Sequence, residues 1–294
     1  MVAPNGASPV GAVSSSAVPT IPVWVPRWRT PLFIALIVIS TISQLLLLSG
    51  LLPWQAGQAS AWWWSAAEML LMLVLLSVAI QWWWRVRCLN NESSPSELSA
   101  SQRLLLVRIS GLLALSLALA SGGDLINKNL QQEAFAYDQW IQHSYLIDSI
   151  ICFFPAYSIV LWAVLSVCQQ RWQGWLRIGF VVTMFTLGSL VWWDSYDARM
   201  AWLPAVAIWM YSVLMLGLVL SAALLAYHWG WRRSWPVVLG LVLAVVADGL
   251  IGQFWLSTNS YYPQIRFVNW IVYFSSQILI QCLPLSLLST KRNI

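Results

Sequence analysis

The sequence predicts an all-α protein: a polytopic membrane helix bundle of about eight transmembrane helices, with both termini cytoplasmic. Three observations carry that expectation. The 294 residues are 60% hydrophobic and only 9% charged, which excludes an ordinary soluble domain. Apolar runs of the ~20 residues that a helix needs to cross the hydrocarbon recur near 31–52, 61–84, 103–125, 145–168, 174–193, 202–228, 235–257 and 267–289. The chain has 22 Trp residues, and their clusters sit at the ends of those runs, where amphipathic rings favour the headgroup region.

In chain order, residues 1–26 are rich in Ala, Ser, Pro and Val and lack a basic stretch, so a disordered tail is expected there, with 27–294 forming a single transmembrane domain. The second run opens on "AWWWS" and closes on "QWWWR", aromatic at both edges. "CLNNESSPSELSASQ" is a polar linker leading into the third. The stretch "INKNLQQEAFAYDQWIQHSY" before the fourth mixes polar residues with Phe135, Tyr137 and Trp140; it suits either an interfacial lid or an ordinary loop. "VWWD" ends the fifth run, "YHWGWRRSW" joins the sixth to the seventh, and "QFW" lies at the end of the seventh.

Charge sets the orientation. Arg27, Arg29, Arg85, Arg87, Arg103, Arg171, Arg177, Arg232, Arg233, Lys291 and Arg292 share one side of the eight runs, against Lys128, Arg199 and Arg266 on the other. The positive-inside rule assigns the richer side to the cytoplasm. A multi-pass integral protein follows, in the cell (inner) membrane if the source is bacterial. The basic residues stand singly or in pairs rather than in a stripe, which argues against a nucleic-acid partner. Cys88, Cys152, Cys168 and Cys282 have no CxxC spacing and read as small apolar fillers.

With orientation fixed, depth follows from ~1.5 Å of rise per residue. Glu68 lies one to two turns inside the outer end of the second span, Asp124 near the outer end of the third and Asp148 at the start of the fourth. Tyr211, Tyr273 and Gln277 belong to the same outer half, and Asp248 falls midway or slightly outward in the seventh span. Gly240, Ala244, Asp248 and Gly252 recur every four residues, so the acid shares a helix face with small residues and should point into the bundle. Ala114, Ala118 and Ser121 run up to Gly122, Gly123 and Asp124 in a similar way, and Tyr273 with Gln277 is an i, i+4 polar pair. A carboxylate inside a membrane is costly and marks a functional site when several converge; for a lone one, a hydrogen bond to a facing helix is the competing explanation. Glu68, Arg108 and Asp148, nearer the interfaces, suit a structural role best. No metal and no cofactor is expected: His143 and His228 are the only histidines, too few for a three-His zinc site. Lys128 and Lys291 are the only lysines, both expected outside the spans, which leaves no residue for a retinal Schiff base.

Three blocks carry a resemblance. "LALASGGDLI", "WLPAVAIWMYSVLMLGLVLSAALL", and "LGLVLAVVADGLIGQFWL" followed by "YFSSQILI" resemble the Gly-Asp, Pro-with-inner-Tyr, and Gly-to-acid with Tyr-x-x-x-Gln blocks of the YhhN/lysoplasmalogenase family of eight-span membrane hydrolases, from about residue 60 to the end. The resemblance implies cleavage of the vinyl-ether bond of a lysophospholipid substrate drawn from the bilayer, giving a fatty aldehyde and a glycerophospho-base. It implies that Asp124 and Asp248 are the two essential acids. The chain departs from the family where a Lys-Pro pair is expected and "AWWWSAAEMLLM" with Glu68 stands, and where His143 and Tyr145 lie at the outer edge of the fourth span instead of within it. Asp248, deeper among apolar residues, is the expected proton donor and Asp124 the charged partner, in the manner of the two carboxyls of a glycosidase. Tyr211, Tyr273, Gln277, Glu68 and His143 are the candidates for positioning substrate or water. The alternative is a proton-coupled carrier or lipid-binding membrane protein that uses the same carboxylates.

Overall fold

A computed structural model describes residues 28–52, 59–91, 99–128, 145–168, 174–196, 198, 200–253 and 263–288. Ten helices build it: α1 (Arg29–Leu48), α2 (Ala59–Asn91), α3 (Ala100–Lys128), α4 (Tyr145–Asp148), α5 (Ile150–Cys168), α6 (Gly174–Ser195), α7 (Trp202–Trp229), α8 (Trp231–Ile251), α9 (Pro263–Ile280) and α10 (Leu283–Leu288). No strand occurs among the described residues. Eight segments are long and apolar enough to cross a membrane, with α4 and α5 sharing the fourth crossing and α9 and α10 the eighth. The chain is a multi-pass integral membrane protein. The expected tail, most of the long loop before α4, including His143, and the last residues of the seventh predicted run lie outside the described residues.

Backbone hydrogen bonds inside hydrocarbon must be closed within each segment, and these helices do so with few interruptions. Gly230, at φ 78, is the only residue between α7 and α8; a residue without Cβ adopts that left-handed conformation at no steric cost. Close helix approach depends on other glycines. A Cβ on Gly240 of α8 would sit 2.9 Å from the Ile280 nitrogen of α9, and one on Gly188 of α6 would sit 2.5 Å from the Val213 Cα of α7.

α3 lies in the middle, packed on α2 and α5, while α8 packs on α7 and most extensively on α9. α6 is peripheral, with 6% of its apolar window buried against 50% for α3, and it packs chiefly on α7. One end of the bundle is tied by Arg29, which donates to the Gln281 carbonyl at 2.8 Å and lies over the Phe33 and Trp82 rings. Gln281 donates onward to the Leu113 carbonyl, and Trp82 to Ser110. The start of α1 thus meets the end of α2 and the break between α9 and α10, as alternating crossings require.

The expected small-residue stripe on α3 is corrected. Ala114, Leu117, Ser121 and Asp124 are buried but Ala118 is exposed. At about 100° per residue, the buried arc of α3 is centred near Leu117 and Asp124, and Ala118 lies one step beyond it. Two further expectations change. The α-helix of the seventh crossing ends at Ile251 and continues as a wider π-type turn at Gly252 and Gln253, so Asp248 sits in its last turn rather than midway. Lys128 belongs to the third crossing as its last helical residue, because α3 runs one turn beyond the apolar block that predicted it. The four cysteines are unpaired, but Cys88 is exposed and not a core filler.

Candidate functional site: two aspartates held by tyrosines

Towards one end of the bundle, α3, α5, α7, α8 and α9 bring six polar side chains together. Asp124 is buried on the inner arc of α3, 4% exposed, because it follows Leu117 and Ser121 at the i, i+4 and i, i+3 spacing of one helix face. Its Oδ2 accepts a hydrogen bond from the Tyr273 hydroxyl of α9 at 2.9 Å. Asp248, following Gly240 and Ala244 on the packed face of α8, accepts at Oδ2 from the Tyr211 hydroxyl of α7 at 2.8 Å. Ring contacts running from Tyr211 through Tyr157 and Phe153 to Tyr273 connect the two aspartate–tyrosine pairs. Neither is ion-paired among the described residues.

Gln277, one turn after Tyr273 on α9, donates through Nε2 to the Tyr157 hydroxyl of α5 at 3.3 Å. The Tyr157 ring is 6.4 Å from that of Tyr211 and stacks on Phe153 at 6.2 Å; Phe153 in turn meets Tyr273 edge-on at 6.1 Å. Gly123 makes room for this packing, since a Cβ there would fall 2.7 Å from the Phe153 ring. An aromatic wall of Phe153 and Tyr157 therefore stands between the two aspartate–tyrosine pairs.

One side of that wall faces a cavity of about 270 Å³. Asp248 and Tyr211 line it with Asn127, Ser149, Ser212 and Gln253, and the rest of its wall is largely apolar, including Phe153, Met200, Ile208, Met215 and Val245. Asp124, Tyr273 and Gln277 do not line this cavity. Of the two acids, Asp248 lines this cavity, and Asp124 is buried, 4% exposed.

Glu68 belongs to a different constellation. Its Oε2 accepts from Lys128 and, at 3.3 Å, from Arg266, and its Oε1 accepts from Gln44 at 3.0 Å. Arg266 also donates to Ser65 at 3.1 Å, and the Lys128 ammonium lies 4.4 Å from the Trp270 ring centroid. Lys128 is one turn beyond Asp124 on α3, so this cluster adjoins the site without lining its cavity. Arg108 is exposed, 5.6 Å from the Trp162 ring. Among the described residues, both carboxyl oxygens of Asp148 are buried without a hydrogen-bond partner.

Tyr157, Lys128, Arg266 and Gln44 were not singled out by sequence as site residues. Tyr157 stands in "FFPAYSIVLW", where one phenol among four aromatics of an apolar run carries no periodic signal. Among the described residues no group of three or more His, Cys, Asp or Glu lies together to hold a metal ion. Two carboxyls with phenol donors, one of them lining an apolar-walled cavity, are groups able to take up and release protons. Comparison of the sequence with protein-family models, curated proteins and solved structures finds no match.

Proposed function

We propose that this protein is a membrane-embedded hydrolase that cleaves the vinyl-ether bond of lysoplasmalogen, or of a related lyso-ether lipid, to a fatty aldehyde and a glycerophospho-base. The observation that carries the proposal is the convergence of Asp124 and Asp248, each held by a tyrosine hydroxyl, with Asp248 opening on an apolar-walled cavity.

In the proposed reaction the apolar wall takes the single chain. Asp248 delivers a proton to the vinyl carbon remote from the ether oxygen, leaving an oxocarbenium ion. The negative charge of Asp124 behind the wall stabilises that cation at short range in a low-dielectric setting. Water adds to the cationic carbon and returns a proton to the Asp248 carboxylate. The resulting hemiacetal collapses: its hydroxyl proton passes to the glycerol oxygen, the carbon–oxygen bond to glycerol breaks, and aldehyde is released. Tyr211, bonded to Asp248, fixes the carboxyl against the cavity.

Purified protein in detergent, given lysoplasmalogen, is expected to release aldehyde, and Asp124→Asn and Asp248→Asn are each expected to abolish the release. The enclosure of Asp124 away from the cavity favours a second reading, a proton-coupled carrier in which the inner acid stores a proton. Proton or lipid uptake into liposomes without aldehyde would select the carrier.

A further inference from the structure

The Glu68 cluster holds more positive charge than its carboxylate answers and more hydrogen-bond donors than it has acceptors. We infer that Lys128 and Trp270, with Arg266 beside them, form a phosphate subsite: it takes the phosphodiester of a single-chain phospholipid whose chain lies in the cavity at Asp248. The inference rests on the lipid substrate proposed above and adds the residues that recognise its head.

The unfilled donors carry it furthest. The Lys128 ammonium has three N–H groups and, among the described residues, gives one hydrogen bond, to Glu68. The indole N–H of Trp270, a side chain only 5% exposed, has no partner among them. These donors are neighbours, since the ammonium lies 4.4 Å from the centroid of the Trp270 ring. A buried donor without an acceptor is costly, and donors of a cation and an indole side by side suit an anion that only accepts. Charge agrees. Lys128 and Arg266 both meet Glu68, two cations against one carboxylate. Asp124, one turn before Lys128, is held by Tyr273 and is paired with neither cation. Side-chain exposures of 10% for Lys128 and 23% for Arg266 leave a way in for a head group.

Position relates the cluster to the cavity. Asn127, the residue before Lys128 on α3, lines the cavity, and its Oδ1 is buried without a partner among the described residues. An unfilled acceptor at the cavity and unfilled donors just beyond it repeat the order of a lysophospholipid head, with the free glycerol hydroxyl first and the phosphate next. The Trp270 ring also lies 5.9 Å from that of Tyr273, which holds Asp124. A lipid lying along the apolar wall thus leaves the cavity past Asn127, with its phosphate at Lys128 and Trp270.

The test is binding to the full-length protein in detergent of two saturated alkyl-ether lipids of one chain length, a lysophospholipid with a phosphomethanol head and the alkylglycerol that lacks the phosphate. Neither has a vinyl carbon, so neither is cleaved, and affinity is read from the dependence of the thermal midpoint on lipid concentration. The wild type is expected to prefer the phosphate-bearing lipid by about tenfold or more, the usual worth of hydrogen bonds to a charged group. Trp270→Phe keeps a ring beside Lys128 and removes the N–H. It should unfold near the wild-type midpoint and bind the lysophospholipid about tenfold more weakly, with alkylglycerol binding unchanged. Lys128→Gln should abolish most of the remaining preference; if it does not fold, Trp270→Phe decides alone. Equal binding of the two lipids by the wild type, or a full preference retained in Trp270→Phe, would overturn the inference. Inorganic phosphate is expected to compete only weakly, and competition as strong as that of the lysophospholipid would assign the site to the free anion and overturn the lipid assignment. Aldehyde release from lysoplasmalogen separates the two proposals: a phosphate preference without aldehyde sinks the hydrolase alone, and aldehyde without the preference sinks the subsite alone.

Discussion

Glu68 and Asp248 are both acids inside membrane-crossing helices, but their partners differ in kind. Glu68, 2% exposed, is met by Lys128, Arg266 and the neutral amide of Gln44. Asp248 is met by one phenol and an open cavity. A carboxylate between two cations is committed to its charge, because removing that charge leaves the cations buried and uncompensated. A carboxyl held by a hydroxyl retains a choice, since a phenol donates to the ionised form and accepts from the protonated one. The first arrangement staples α1, α2, α3 and α9 together; the second leaves a group free to exchange protons. Among intramembrane acids, the identity of the partner therefore says more about role than depth does.

The largest effect expected from this contrast concerns the second pair. Asp248→Asn keeps the shape and the hydrogen bond of Tyr211 but cannot deliver a proton, so aldehyde release should fall by about 10² to 10⁴-fold, the usual contribution of a positioned acid. Asp124→Asn should fall comparably, with both variants unfolding near the wild-type temperature. A rate within a few-fold of wild type for Asp248→Asn would remove the distinction between the two regions.

Glu68→Gln should do the reverse. It leaves Lys128 and Arg266 without their shared counter-charge, at an expected cost of about 3–5 kcal/mol in stability, seen as a large drop in the thermal midpoint in detergent. Aldehyde release by the protein that remains folded should stay within a few-fold of wild type, which would mark Glu68 as a structural group and not a substrate-positioning one.

The difference between these two regions was only half legible in the sequence. The spans were, because apolar length and Trp-bracketed ends are local properties, and eight crossings emerge close to the predicted bounds. The inward rotation of Asp248 was also legible, since Gly240 and Ala244 share its face by simple periodicity. The partners were not. Glu68 finds Lys128 and Arg266 across 60 and 198 residues of chain, and no periodicity links helices that far apart. Lys128 was misread for a specific reason: an ionisable residue at a helix end lowers the apolar score that defines the span, although burial against Glu68 and Trp270 compensates its charge. Ala118 failed because a small residue marks a packed face only if it lies on the buried arc, and its neighbours Leu117 and Ser121 already define that arc.

A smaller effect is expected from the phenols. Tyr211→Phe and Tyr273→Phe each remove one hydrogen bond to a carboxyl and nothing else, a loss of about 1.5–3 kcal/mol for a bond to a charged group. Expressed as catalysis, this is at least a tenfold fall in kcat/KM. Tyr211→Phe should cost more than Tyr273→Phe, because Tyr211 lines the cavity and Tyr273 does not; the opposite order would make Asp124 the acid that meets the substrate.

The smallest effect sharpens the comparison from the other side. Among the described residues, Gln44 is the one neutral donor to Glu68, at 3.0 Å, and its own Oε1 is buried without a partner. Gln44→Met removes both features at once. Losing the donor weakens the cluster by about 1.5–3 kcal/mol, and deleting the orphaned acceptor returns about 1–3 kcal/mol, so the two terms nearly cancel. Stability should change by less than about 1 kcal/mol, and aldehyde release not at all. If the ions alone secure the cluster, the thermal midpoint of Gln44→Met will match that of the wild type while Glu68→Gln collapses. A drop in Gln44→Met as large as that of Glu68→Gln would mean that the neutral hydrogen bond, not the ion pairs, holds α1 to α2, and the line drawn between charge-held and hydroxyl-held acids would have to be redrawn.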